Sequence, residues 1–299
     1  MLAGPIRLVF AAVSVLLLAS CTTPSAQGDD RLRVVASMSI IADLAERVVG
    51  EHAMVTSLVP IGGDPHLHEP SPSDARQLQH ADLVLVNGAG LEPWLDALLA
   101  GSGHEAVYLS EQLGDVVELD EDGQLDPHLW MAPPFAAVYV ETISARLAEL
   151  DPANADTYRS NAAAFLEELA ALDHELEESL ARIPQDRRVL VTSHDAYRYF
   201  ADHYGLEVVA VVGVSTEEEP SAARVRSVVD SIRRHDIPTV FVETTINPAV
   251  MERIALDADV EVGRPLYGDS VGEQGTQADN YVGMMRANVD ALVEGLVRR

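Results

Sequence analysis

The sequence contains no lysine: all 20 of its basic residues are arginine, against 48 aspartates and glutamates, for a formal net charge of -28. A chain so poor in cations has no footprint for a phosphate backbone and is repelled by an anionic membrane surface, which argues against nucleic acid as a partner. Aromatic residues make up only 5% of the chain, too few for platforms that stack sugars or bases. The single cysteine, Cys21, rules out an internal disulfide and a thiolate metal site. No H-E-x-x-H motif is present, so the usual mark of a zinc hydrolase is missing. What the negative charge does has two readings: it concentrates cations weakly, or it keeps an exported protein soluble.

What is present begins with an export signal over residues 1–20. Arg7 supplies the charge, and Val9 to Leu18 forms an apolar core too short to span a bilayer comfortably. The segment ends Leu18-Ala19-Ser20-Cys21, which resembles a bacterial lipoprotein signal and makes Cys21 the candidate for lipidation. Residues 21–30 are polar and contain Gly and Pro, as suits a flexible tether. About 270 residues remain, enough for two lobes of ordinary size.

Beyond the tether, strand and helix patterns alternate, the signature of α/β layers with mainly parallel sheets flanked by helices. Strands are expected at Leu32–Ala36, Val55–Val59, Leu83–Val86 and Val107–Ser110. Helices are expected from Ser39 as a cap, over Ser71–His80, Leu91–Leu99 and Phe135–Leu150. This places an N-terminal lobe over 31–151. Asp151-Pro152 then reads as an N-cap with proline at the first helical position. Tyr158, Phe165, Leu169, Leu172, Leu176, Leu180 and Ile183 keep helical spacing from there until Pro184. A helix over 152–183 is too long for one lobe; a strut joining two lobes and a coiled-coil arm are the alternatives. Alternation resumes in a C-terminal lobe over 184–299, with strands expected at Val189–Thr192, Glu207–Val212 and Thr239–Glu243. No internal sequence repeat relates the two lobes.

The chemistry gathers at the ends of apolar strands, where open α/β sheets bind their ligands. Asp64-Pro65-His66 follows the second strand and a Gly-Gly turn, and the triplet recurs as Asp126-Pro127-His128. Proline stiffens both copies, so each histidine stands on a restrained backbone. Val189–Thr192 runs through Ser193 into His194, and Gly263-Arg-Pro-Leu-Tyr-Gly268 runs into Asp269. Each lobe therefore offers two candidate N or O donors, and four donors are what a closed metal site requires. His68, two residues from His66, would point the same way in an extended chain and competes with it at this stage.

The stretches D-P-H-L-H-E-P-S-P-S-D, D-P-H-L-W, T-S-H-D-A-Y-R-Y-F-A-D-H-Y-G-L and G-D-S-V-G-E-Q-G together resemble the metal-binding, solute-binding lipoproteins of bacterial zinc and manganese ABC importers. The resemblance runs from Arg31 to the C-terminus. It implies two α/β lobes bridged by one long helix that limits lobe motion, and His66, His128, His194 and Asp269 as ligands to Zn2+ or Mn2+. It also implies a monomer held to the membrane by its lipid, partnered by a permease and a cytoplasmic ATPase, with no catalytic residues. His68 stands where the family often has an aromatic residue, which makes it, with Glu69, an outer-shell or entrance group. The family places His or Glu at position 194, and His favours zinc over manganese. Zinc-specific relatives often carry a His-rich loop before the second ligand; here that region is acidic, with Asp115, Glu118, Asp120, Glu121 and Asp122. A hydrolase using Glu69 as general base and a metal-containing adhesin are the competing functions.

Overall fold

Short β-branched runs and longer amphipathic segments sort this chain into parallel strands and covering helices. The computed structural model describes Met1 and residues 31–116, 123, 125–217 and 219–297. The expected signal and tether, with Cys21, lie outside the described residues, as do Glu118, Asp120, Glu121 and Asp122 of the acidic run. Among the described residues no helix is long and apolar enough to cross a membrane.

The first half comprises β1 (Leu32–Ala36), α1 (Ser39–Val49), β2 (Ala53–Ser57), α2 (Pro72–Gln79), β3 (Leu83–Val86), α3 (Leu95–Ser102) and β4 (Ala106–Tyr108), followed by α4 (Pro133–Leu150). Its strands form one parallel sheet in the order β2-β1-β3-β4, with Val34 facing Val55 on one side and Leu83 on the other. β3 is Leu-Val-Leu-Val and wholly buried, as a strand covered on both faces must be.

Next comes α5 (Ala155–Leu180), whose 26 residues span about 39 Å at 1.5 Å per residue. Its buried line is Tyr158, Ala162, Phe165, Leu169, Leu172, Leu176 and Leu180, nearly the one legible in the sequence. The helix starts later than the Asp151-Pro152 signature suggests. Asp151 instead closes α4, its N–H bonding to the Leu147 carbonyl, while its carboxylate accepts from Asn154 Nδ2 and the Tyr158 hydroxyl.

The second half comprises β5 (Val189–Thr192), α6 (Arg198–Tyr204), β6 (Glu207–Ala210), α7 (Ala222–Arg234), β7 (Thr239–Val240), α8 (Ala249–Ala258), β8 (Glu261–Val262) and α9 (Tyr281–Val297). The parallel ladders β5-β6 and β7-β8 meet where the Phe241 N–H donates to the Val191 carbonyl at 2.9 Å. The resulting order, β6-β5-β7-β8, repeats that of the first sheet: second strand, first, third, fourth. The repeat is one of topology and leaves no trace in the residues. α5 packs against α4 and α1 of the first half and α9 of the second, so its apolar line is internal and the coiled-coil reading falls away. One continuous apolar core includes α1, α4, α5 and α9.

Ser39, expected as an N-cap, is the first helical residue of α1, after Met38. Its hydroxyl is used elsewhere: it lies 3.1 Å from Ser270 Oγ and accepts from the Val271 N–H. Ser270 Oγ also accepts from the Gly62 N–H at 2.8 Å. Three loops that meet at the strand ends are thereby tied together.

Candidate metal centre

The two D-P-H triplets fold alike. Asp64 Oδ1 accepts the His66 N–H at 2.8 Å, and Asp126 Oδ1 accepts the His128 N–H at 3.0 Å, each bond spanning two residues as in an Asx-turn. In each, the intervening proline fixes φ, so carboxylate and proline together define where the imidazole emerges. His194 stands two residues past the end of β5, its N–H donating to Glu243 Oε1 at 3.1 Å. Asp269 follows Gly268, a position where an added Cβ would lie 2.9 Å from Glu243 Oε2, so glycine lets the chain pass at this distance.

These four side chains converge. His66 is 5% exposed, His128 and His194 are fully buried, Asp269 is 1% exposed, and one donor atom from each lies within 4.8 Å of the others. His128 Nε2 is 3.3 Å from His194 Nε2 and 3.5 Å from Asp269 Oδ1, and His194 Nε2 is 3.4 Å from Asp269 Oδ2. A tetrahedron with metal–ligand bonds of ~2.1 Å has edges of about 3.4 Å, the size of these separations, and each of the two imidazoles approaches a different oxygen of the Asp269 carboxylate. His66 Nε2 and both Asp269 oxygens are buried without a hydrogen-bond partner. Unpaired buried acceptors are costly, and a divalent cation would satisfy all three.

Two of the imidazoles are aimed by carboxylates. His128 Nδ1 lies 2.8 Å from Asp126 Oδ1, and His194 Nδ1 sits against Glu243 Oε2, which turns both Nε2 atoms inward. Burial, reinforced by the neighbouring histidines, holds His66 well below the usual imidazole range, and burial does the same for His128. Both are thus neutral and ready to ligate. His194 differs: burial pulls it down, but Glu243 and Asp269 outweigh that and raise it to about 10. Burial pushes Asp269 up to about 7, against the pull of His194 and with Glu243, Asp64 and Asp126 adding to the rise.

The structure brings His66, His128, His194 and Asp269 together and leaves His68 and Glu69 outside the group. His68 Nε2 lies 3.2 Å from Asp74 Oδ2, and its ring packs edge-on against Trp94 at 4.6 Å. The chain there is bent rather than extended, so the rule that alternate residues face the same way does not hold. Glu69 is exposed. Sequence reasoning missed Glu243, the acid that ends the run Pro238-Thr-Val-Phe-Val-Glu243. Its only signal was a carboxylate placed where an aliphatic strand meets the ligand edge of the sheet. A cavity of about 240 Å³ lined by His66, Ala89, Gly90, Pro127 and Val214 opens beside the group. A larger cavity, of about 640 Å³, lies by Arg198 and Arg224 and includes none of the four.

Three imidazoles and one carboxylate, buried at the strand ends of an α/β fold, form a group that could hold a metal cation. Residues 34–295 match the family of the zinc-uptake complex component A, periplasmic, and the chain belongs to that family. It is 38% identical to the manganese-binding lipoprotein MntA of Halalkalibacterium halodurans over 95% of this chain and 96% of that one. It is 34% identical to the metal ABC transporter substrate-binding lipoprotein SsaB of Streptococcus sanguinis, over 96% of this chain and 98% of the other. The fold superposes on the periplasmic zinc-binding protein TroA of Treponema pallidum with a TM-score of 0.86 and 30% identity, covering 90% of this chain and 100% of TroA. The protein is therefore a substrate-binding component of a metal ABC transporter and not an enzyme.

Proposed function

We propose that His66, His128, His194 and Asp269 bind a divalent transition metal as cargo, zinc more tightly than manganese, and that the protein hands it to a membrane permease driven by a cytoplasmic ATPase. The observation that carries this is the convergence of four buried donors within 4.8 Å of one another, with His66 Nε2 and both Asp269 oxygens lacking any hydrogen-bond partner. Residues 31–151 and 184–299 act as two lobes, and the segment 152–183, most of it α5, restrains their relative motion. Cys21 carries the lipid that keeps the protein on the outer face of the cytoplasmic membrane. Relatives are named for both metals, manganese in MntA and zinc in TroA. The preference for zinc rests on the third imidazole, which suits zinc better than manganese, and on the intrinsic affinity order, which runs the same way.

Dissociation constants for zinc and manganese, measured by chelator competition on wild type and His194→Glu, test the assignment. The substitution exchanges an imidazole for a hard anionic donor and should narrow the zinc preference; an unchanged ratio would remove His194 from the site. The anchor is tested separately. Wild type should fractionate with membranes and Cys21→Ser should go unlipidated, whereas an unmodified, soluble wild type would rule the anchor out.

A further inference from the structure

The connection between β3 and α3, Asn87-Gly-Ala-Gly-Leu-Glu-Pro-Trp94, touches both D-P-H triplets at the same atom. Asn87 Nδ2 donates to the carbonyl of Pro127 at 2.9 Å, and Trp94 Nε1 donates to the carbonyl of Pro65 at 2.7 Å. Each acceptor is the residue directly before a histidine of the metal group. One loop thus holds the backbone of both His66 and His128, though these lie on separate connections of the first half.

The loop is itself held from within. Glu92, 5% exposed, accepts from the Asn87 N–H at 3.0 Å, the Gly88 N–H at 3.1 Å and the Ser37 hydroxyl at 2.6 Å. Asn87 is fully buried, and its Oδ1 accepts from the Tyr139 hydroxyl of α4 at 2.7 Å, which fixes the amide so that Nδ2 faces Pro127. Between these anchors Gly88, Ala89 and Gly90 take φ values of 84°, 53° and 82°. Three successive left-handed residues, one of them carrying a Cβ, mark a backbone held in an unfavourable shape by its surroundings. The same segment, through Ala89 and Gly90, lines the cavity beside His66.

We propose that Asn87, Glu92 and Trp94 are positioning residues that set the spacing between His66 and His128, and through it the affinity of the metal site. This rests on the reading of those histidines as ligands. Trp94→Phe deletes the indole N–H and keeps an aromatic ring against His68. Tyr139→Phe deletes only the hydroxyl that orients Asn87. Each should weaken zinc binding by about tenfold, the low end for a group that orients a metal ligand. The readout that separates positioning from general stability is a cycle with the ligands. Trp94→Phe acts through His66, so it should have no further effect in a His66→Ala background and keep its effect in His128→Ala, with Tyr139→Phe showing the reverse. Zinc affinities for the eight variants and wild type come from chelator competition. Equal effects of Trp94→Phe in both backgrounds, or none in wild type, overturn the proposal. Unaltered binding in both His→Ala variants overturns the ligand reading on which it stands, and the proposal with it.

Discussion

Asp269→Asn is expected to weaken zinc binding by at least two orders of magnitude while leaving the fold in place. The asparagine keeps the shape of the side chain but removes the one anionic donor among the four, and its amide can turn an N–H toward His128 Nε2 or His194 Nε2. Breaking a buried charge pairing by removing one partner costs roughly 3–5 kcal/mol, which is ~10² to ~10³-fold or more in affinity. Melting temperature provides a second readout. At a hundredfold excess over its dissociation constant, zinc stabilises wild type by about 2.7 kcal/mol, and the variant should show almost none of this at the same concentration. The metal-free variant should melt at or below metal-free wild type, because Asp269 Oδ2 lies 3.4 Å from the buried His194 Nε2 and the substitution removes that charge pairing; the gain on adding zinc, not the absolute melting temperature, is the readout. Wild-type affinity in Asp269→Asn would mean that the ion sits elsewhere.

Zinc binding is also expected to release about one proton near pH 8 and close to two near pH 6. In the metal-free protein His194 is raised to about 10 and carries a proton through the neutral range; the ion takes that position and expels it. Asp269, raised to about 7, is mostly ionised near pH 8 and mostly protonated a unit below its own value, so it adds the second proton on the acid side. His66 and His128 contribute none in this window, because burial keeps them neutral well below the usual imidazole range. Affinity should therefore already fall by about tenfold per pH unit between pH 10 and 7, and more steeply below that. Unperturbed imidazoles would begin to lose metal only near pH 6.5. Calorimetry in buffers of differing ionisation enthalpy counts the protons directly. No release near pH 8 would show that His194 is neutral before the metal arrives.

The four converging residues were legible because each stands on a stiff or abrupt exit from an apolar run: two D-P-H triplets, His194 after Val189–Thr192, and Asp269 after a glycine. The groups that aim them were not. Glu243 looked like the end of a strand, but the ladder stops at Val240 and the chain bends so that Glu243 bridges to Leu266 and turns its carboxylate to His194. Glu92 and Trp94 sat in what read as the start of a helix from Leu91, and Asn87 in the unassigned turn before it. That helix begins only at Leu95, because Glu92 spends its carboxylate on the loop. Such roles depend on partners 29 to 55 residues away and carry no local pattern. The shared strand order of the two halves is invisible for the same reason: topology is set by which runs are buried, and many residues satisfy that.

The tie between Ser39 and Ser270, and the Asp43 carboxylate that accepts the N–H of Tyr281 at the start of α9, join the first turns of the chain to its last. A polypeptide is delivered from its N-terminus. The first sheet can therefore form early, with His66 and His128 in hand, while α5 still lacks α9 and Glu243 and Asp269 have not yet appeared. Two imidazoles alone lack the third imidazole and the carboxylate that complete the proposed site. On the proposed reading of the site, competence for metal waits for the segment that carries Asp269 and for the helix that follows it.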